Sequence, residues 1–479
     1  MDVEHLERVL IRCRLLITRG AVLRLGPRTG ADIGQNRAQF IAECHNVYKK
    51  AARILISEML RIQKEIDQLG GGRDHELLDR YKYWLRILEF SYDSFIWIAS
   101  NHDRSNVTKI YKGAKFGSLL QQNIQSVIET ADELNVAENV FAFPLDFSRF
   151  SCIGDLLRIT RHRAGGISLD FIEVKEGELN ERILKVILSK GEEGLEDLFH
   201  QFGEKAVKQG KRMLKQERVA QRQLKYFDAA PGIYRGPDEN RIVSELRIGL
   251  EDQFDDLIEI LVERARQGEF SSDVVDDCLV VTALDSTSPQ RYNVTDFSSR
   301  AVVYSAFLAN EQFKNQDELS DAVQNITFID WIEALNSAVC IPPLLRRPLR
   351  TRSFLDLMSG RIQLRFYLDP TAFLQLCREQ KLQAGFIKKK ITNRLKTSGG
   401  WRKGQYPIFG GRALGYVAGN FAGVIGWGIL HEIMFNWRTP GAIARHLAHS
   451  SAELQQLGQS PVGEHARRNW FSERDLEVV

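Results

Sequence analysis

The chain has 479 residues, of which 43% are hydrophobic and 27% charged, with a formal net charge of +3. That length exceeds one ordinary compact core and implies roughly two to four domains, while the composition excludes global disorder. A total charge so close to zero neither argues for nucleic acid nor excludes it, so any such role has to come from local charge distribution.

The opening MDVEHLERVLIRCRLL reads as an amphipathic helix carrying Asp2, Glu4 and Glu7. It lacks the apolar run of a signal peptide, and its acids disagree with a transit peptide. The six cysteines (Cys13, Cys44, Cys152, Cys278, Cys340, Cys377) are scattered without a CxxC pair or metal-ligand spacing. Reduced core thiols and a cytoplasmic location are the expectation. Ile41 to Leu69 has helix-period apolar positions and stops at Gly70-Gly71-Gly72. A second helical run, Glu76 to Ser100, carries Tyr81, Tyr83, Trp84, Phe90, Tyr92, Phe95 and Trp97, a stripe read as helix-packing core. Leu119 to Leu134 reads as a further amphipathic helix, and Val140 to Phe147 as the first strand-like segment.

Gly154 to Glu178, GDLLRITRHRAGGISLDFIEVKEGE, holds two strand-like runs, Leu156–Arg161 and Ile167–Lys175, around the turn signal Ala164-Gly165-Gly166. A three-residue loop pairs Arg163 with Ile167, Ile159 with Phe171, Leu157 with Glu173 and Asp155 with Lys175. Opposed residues, and residues two apart on a strand, share one face. Asp155, Glu173 and Lys175 would then converge at the open end of the hairpin, with Leu157, Ile159, Ile167, Leu169 and Phe171 continuing that face as core. A loop one residue longer or shorter reverses Asp155 unless a bulge compensates.

An acid at the start of one strand and (D/E)-x-K at the end of the next, here Asp155 and Glu173-Val174-Lys175, resembles the PD-(D/E)xK nuclease superfamily with its restriction-endonuclease-like fold. Gly154 stands where the motif's name has proline. The resemblance covers about Phe116 to Phe227. It implies Asp155 and Glu173 as ligands of Mg²⁺ or Mn²⁺, joined by the backbone carbonyl of Val174, and Lys175 orienting the attacking water. The residue types suit the chemistry. Hard divalent cations take carboxylate oxygens and keep several waters, and a bound ion polarises a phosphoryl oxygen and lowers the pKa of its water. D/E-x-K alone is unspecific; Glu379-Gln380-Lys381 repeats it in a helical pattern. The rival reading of the hairpin is an edge whose charged ends form a solvated ion cluster.

The resemblance further implies an acid on the preceding helix, where Glu129 is preferred over Glu133, and a substrate-positioning glutamine on the following one. That following helix is read over Glu193 to Phe227; it is basic and offers Gln216, with no Gln-x-x-x-Tyr at the family's offset. Beyond it, Glu251 to Asp277 is acidic, whereas Gln380 to Leu430 contains no acid. Lys388, Lys389, Lys390, Arg394, Arg402 and Lys403 stand in that stretch with Trp401 and Tyr406 nearby, a pattern suited to a phosphate backbone and equally to an ordinary basic surface. Ala413 to Leu430 is uncharged, with Gly415, Gly419 and Gly423 at GxxxG spacing. Its length is near the lower limit of a membrane span; a buried, glycine-rich core segment is the favoured reading.

No GxSxG, P-loop or dinucleotide fingerprint stands in a fitting context, which assigns any energy-driven translocation to a separate ATPase or sensor subunit. The expected architecture is α+β: a helical region over 1–115, a nuclease core over 116–290 with a mixed β-sheet flanked by helices, and a basic, Gly-rich region over 291–479. The expected function is Mg²⁺-dependent hydrolysis of DNA, in the manner of effectors of prokaryotic restriction or antiviral defence. The alternative is a non-catalytic nucleic-acid-binding or scaffold subunit on the same fold.

Overall fold

The computed structural model describes residues 2–25, 37–70, 74–99, 119, 124–149, 154–162, 166–174, 180, 182–183, 185–186, 189, 193–214, 232–235, 240–243, 252–268, 270–285, 327–330, 345, 348–397, 407–419, 421–458 and 472–478. The chain divides into two compact units, Met1–Ala230 with Pro343–Arg346, and Pro231–Pro342 with Arg347–Val479.

In the first unit, α1 (Val3–Leu25) pairs with α2 (Arg37–Leu69). Leu6, Leu10, Cys13 and Ile17 recur every three or four residues and are buried, a one-sided apolar stripe. The two helices come close at Gly20, where a Cβ would lie 2.9 Å from Val47 Cγ1. α3 (His75–Tyr92) starts at Asp74, whose carboxylate accepts the Leu77 N–H at 3.0 Å, the preferred N-cap arrangement. It breaks at Asp93 before α4 (Ser94–Ala99). The aromatic run is core as expected: Tyr81, Trp84, Phe90, Tyr92, Phe95 and Trp97 are buried.

α5 (Ile124–Leu134) leads into an antiparallel sheet ordered β1 (Val140–Pro144), β2 (Leu156–Arg161), β3 (Ile167–Ile172). Alternation sends β1 side chains to two faces. On one, Phe141 and Phe143 meet Tyr48, Tyr92 and Phe95 at ring-centroid distances of 5.4 to 6.1 Å. On the other, Leu156 packs with Val127 and Ala131 of α5, joined by Ile172 and Val174. Asn135 fixes α5 to β1 by donating to the Ala142 carbonyl at 2.7 Å and accepting its N–H at 2.8 Å. The hairpin therefore sits between two helical layers, which holds its open end in place.

The predicted long helix over Glu193–Phe227 is interrupted. α6 (Gly194–Phe202) ends at Gly203, whose φ of 78° lies in the left-handed region that glycine adopts readily. Helix resumes over 204–214, and the rest of the predicted stretch lies outside the described residues.

The second unit contains the pair β4 (Gly232–Arg235) and β5 (Asn240–Val243), then α7 (Asp255–Gly268). One sheet is ordered β6 (Phe270–Val275), β7 (Leu279–Asp285), β9 (Ile362–Leu368), β8 (Thr327–Asp330). α8 (Thr351–Met358) is tied to α7 through Arg266, which donates to Asp356 at 2.7 and 2.9 Å. After α9 (Pro370–Glu379) come β10 (Gln383–Ile387) and α10 (Lys389–Thr397). The second sheet is ordered β12 (Phe421–Val424), β11 (Leu414–Ala418), β10, β13 (Leu476–Glu477). α11 (Trp427–Asn436) and α12 (Pro440–Gly458) follow β12.

Within 413–430, β11 and β12 thus pair antiparallel and a helix starts at Trp427, as a glycine-rich core segment should. Gly423 lies where any Cβ would collide with the Tyr416 ring. Among the described residues, no helix is long and apolar enough to cross a membrane. The α+β class holds. Every ladder among the described residues is antiparallel, so the mixed sheet expected for the core is corrected there to an antiparallel one. Five residues separate β2 from β3, too few for the crossover that parallel neighbours need.

Candidate active site

The hairpin forms, two residues out of the predicted register. Leu156 stands opposite Ile172 and Arg161 opposite Ile167, and the His162 N–H reaches the Gly166 carbonyl at 3.2 Å. The loop between the strands is therefore 162–166 rather than 164–166. A shift by two preserves side-chain parity, so Leu157 still shares a face with Phe171, and Ile159 with Leu169.

At the open end the ladder departs from regularity. The Asp155 N–H donates to the Ile172 carbonyl at 2.8 Å, although Leu156 is already opposite Ile172. Two residues of β2 thus oppose one of β3, which is a β-bulge, a device that re-aims a side chain. The Asp155 carbonyl keeps step with β1, accepting the Leu145 N–H at 2.8 Å. Gly154 makes the bulge possible: its φ is 78°, and a Cβ there would lie 2.9 Å from the Ile172 carbonyl oxygen. Proline, with φ fixed near −65°, cannot take that conformation. The glycine in the motif's first position is a requirement of this backbone.

The re-aimed Asp155 carboxylate accepts the Val174 N–H at 2.7 Å through Oδ2. It occupies the place a backbone carbonyl would have held had the ladder continued. The acid of the first strand is thereby fastened to the middle residue of Glu173-Val174-Lys175. Glu173 is exposed, Asp155 and Val174 half-buried; Lys175 lies outside the described residues.

The other predicted site residues are not gathered here. Glu129 is exposed on α5 and accepts from Gln125 Nε2 at 2.8 Å. Val127 and Ala131 make the buried contacts to Leu156. Two residues along a helix is about 200° of rotation, so Glu129 faces away from the sheet. Gln216, Arg402 and Lys403 lie outside the described residues. Lys388, Lys389, Lys390 and Arg394 are exposed at and beside the first turns of α10 in the second unit. Lys388 Nζ donates to the Arg474 carbonyl at 2.6 Å, and Lys388 and Arg394 help hold the Asp475 carboxyl below its usual range, after the Ser472 backbone N–H.

Sequence reasoning missed a polar cluster in the chain segment next to this end. A 3-10 turn, Leu145–Phe147, follows β1. Beyond it Ser148 Oγ donates to Asp93 Oδ1 at 2.5 Å and the Arg149 N–H donates to the same oxygen at 3.2 Å. The Arg149 guanidinium lies 4.0 Å from Glu89 and 4.8 Å from the Phe90 ring centroid. Burial pushes the Asp93 carboxyl up to about 8. An aspartate inside an aromatic helical run was the one signal available for it.

As a donor set, Asp155, Glu173 and the Val174 carbonyl offer hard oxygens, which fit Mg²⁺ or Mn²⁺ with the remaining positions filled by water. Among the described residues no three His, Cys, Asp or Glu side chains gather as a metal group, so a centre here would rest on two carboxylates. Comparison of the chain with family models, curated proteins and solved structures finds no match to any of them.

Proposed function

We propose that the protein is a metal-dependent nuclease that hydrolyses phosphodiester bonds of DNA at the open end of the β2–β3 hairpin, in the manner of PD-(D/E)xK enzymes. The observation that carries this reading is the 2.7 Å hydrogen bond from the Val174 N–H to Asp155, which ties the acid of one strand to the Glu-x-Lys triplet of the next. Asp155 and Glu173 hold a divalent cation through carboxylate oxygens, with Val174 contributing its carbonyl. When bound, Mg²⁺ or Mn²⁺ supplies polarisation of the phosphoryl oxygen and a water of lowered pKa. Lys175 orients that water and offsets the charge that accumulates on the phosphate. The exposed lysines beside α10, with Arg394, contribute sequence-independent phosphate contacts. An effector of prokaryotic antiviral defence or restriction, working with a separate ATPase or sensor subunit, is the biological setting that follows from the resemblance.

The same hydrogen bond favours a second reading. A carboxylate that replaces a missing ladder acceptor has a structural purpose without any metal, and the protein would then be a non-catalytic nucleic-acid-binding or scaffold subunit. Asp155→Asn separates the two, because the amide oxygen still accepts the Val174 N–H while the charge is gone. The full chain is expected to degrade plasmid or linear DNA in Mg²⁺. Asp155→Asn and Lys175→Ala should lower the rate by about 10³-fold, comparable to removing other charge-stabilising groups, with DNA binding and melting temperature retained. DNA binding without cleavage in Mg²⁺ or Mn²⁺ overturns the enzyme and leaves the subunit.

A further inference from the structure

The open end of the sheet is held by more than the β2–β3 bulge. Leu145, which follows β1, donates its N–H to the Asp155 carbonyl at 2.8 Å, and the Asp155 N–H donates to the Ile172 carbonyl at 2.8 Å. The Asp155 backbone is thus pinned from both sides, by β3 and by the 3-10 turn Leu145–Phe147. The Ser148 N–H closes that turn by donating to the Leu145 carbonyl at 3.1 Å. Two contacts then anchor the turn to the α3–α4 corner. The Phe147 ring lies 5.9 Å from Tyr92, and Asp93 Oδ1 accepts both Ser148 Oγ and the Arg149 N–H.

Resting on the nuclease reading, we propose that Asp93 is a positioning residue for the hydrolytic centre: by holding Ser148 and Arg149 it fixes the Leu145–Phe147 turn, which in turn sets where the Asp155 carboxylate stands.

The route is continuous. It runs from Asp93 through Ser148 to Leu145, from Leu145 to the Asp155 backbone, and from the Asp155 carboxylate to the Val174 N–H at 2.7 Å. Asp155 is one of two carboxylates assigned to the ion. A ligand displaced by a fraction of an ångström costs rate even where folding is unaffected.

The surroundings of Asp93 argue for that task over simple packing. Tyr92, Phe95, Phe143 and Phe147 are fully buried there, and a carboxyl among them is costly to enclose. An apolar side chain of like volume would fill the space with little loss of stability. It could not accept two hydrogen bonds from the turn, and a satisfied buried network specifies one arrangement. Burial pushes Asp93 up to about 8, so at pH 7 the group is mostly neutral and asparagine is its nearest isostere.

The experiment measures Mg²⁺-dependent cleavage of plasmid DNA by the full chain and three variants. Hydrogen exchange, read by mass spectrometry on peptides containing Leu145, Val174 and His162, is followed in parallel. Asp93→Ala is expected to lower kcat about 10- to 100-fold, the range for losing a group that orients a metal ligand, with KM for DNA unchanged. Asp93→Asn, which keeps the acceptor, should recover most of kcat. Ser148→Ala, which removes one of the two bonds, should fall between them and carries the comparison should Asp93→Ala fail to fold. In Asp93→Ala the Leu145 and Val174 amides should exchange about three- to tenfold faster, the equivalent of one lost hydrogen bond. His162, at the far end of the hairpin, should be unchanged. A wild-type chain that cleaves no DNA removes the nuclease reading, and this proposal with it. Wild-type cleavage left undiminished in Asp93→Ala and Ser148→Ala overturns the proposal alone. So does a loss seen only in KM or one that asparagine fails to restore, and so does faster exchange at all three amides alike, the mark of general destabilisation.

Discussion

Each end of the three-stranded sheet has a buried ionisable group beside it, and both groups are held uncharged, in opposite senses. Near the open end, Asp93 is 2% exposed and pushed up to about 8, chiefly by burial. At the hairpin end, His45 is 5% exposed and lowered to about 4. Their partners differ. Asp93 has Ser148 and Arg149 on one oxygen, while His45 Nδ1 has none. The pairing teaches that a strong pKa shift does not by itself mark a working site. Asp93 is a joint that fastens the α3–α4 corner to the end of β1, whereas His45 packs against Phe141 with its Nδ1 left without a hydrogen bond.

The aromatic layer keeps the two ends apart. Phe141 lies 6.0 Å from the His45 ring and 5.1 Å from Phe143, which in turn lies 6.1 Å from Tyr92 beside Asp93. Phe141→Ala is expected to cost about 3–5 kcal/mol, the range for deleting a fully buried phenylalanine, measured by urea unfolding. It should also raise the His45 pKa, read by NMR, because water enters beside the ring. A loss well under 1 kcal/mol would mean that the layer is not packed as described. Gly154→Ala comes next. A non-glycine residue at φ 78° against the Ile172 carbonyl should cost about 1–3 kcal/mol. A neutral result would remove the bulge, and with it the placement of Asp155.

Acidity separates the two ends directly. The folded Asp93 value lies above the ordinary aspartate value of 3.8; the native state therefore binds the proton more tightly, and this contribution fades as pH rises from about 4 towards 8. The folded His45 value lies below the ordinary histidine value of 6.5, so its contribution is complete above 6.5 and fades as pH falls towards 4. Between 4 and 6.5 the two slopes oppose one another, and between 6.5 and 8 Asp93 alone of this pair remains. Stability should decline across that upper window by up to about 1.4 kcal/mol per pH unit, and Asp93→Asn should flatten the decline. An unchanged slope in that variant would show that Asp93 is already ionised in the fold.

Much of this arrangement is legible in the residues, and the part that is not has a definite cause. Apolar periodicity and glycine punctuation predict a helix ending at Leu69, and the helix ends there. Alternation in Leu156–Arg161 and Ile167–Ile172 gives the hairpin and its faces but leaves the register open, because a slip of two residues returns every side chain to the same face. The bulge is written only in Gly154. Gly203 could have signalled the break between α6 and the helix that follows, since a glycine inside a helical pattern is a weak point. The enclosure of His45 has no local signature at all. It arises where α2 meets β1 at Phe141, about a hundred residues apart in the chain.

Glu129 gives the smallest predicted effect and the sharpest check on the candidate metal centre. The resemblance assigns it to the ion; the helix assigns it to solvent, since Val127 and Ala131 on either side take the sheet-facing positions. Its contact to Gln125 is an exposed pair four residues apart, a class worth a few tenths of a kcal/mol. Glu129→Ala should therefore alter stability by less than about 0.5 kcal/mol and leave Mg²⁺-dependent cleavage at the wild-type rate. A substantial loss of cleavage with stability unchanged would mean that α5 turns Glu129 inward when metal and DNA are bound. The two-carboxylate description of the centre would then give way to three.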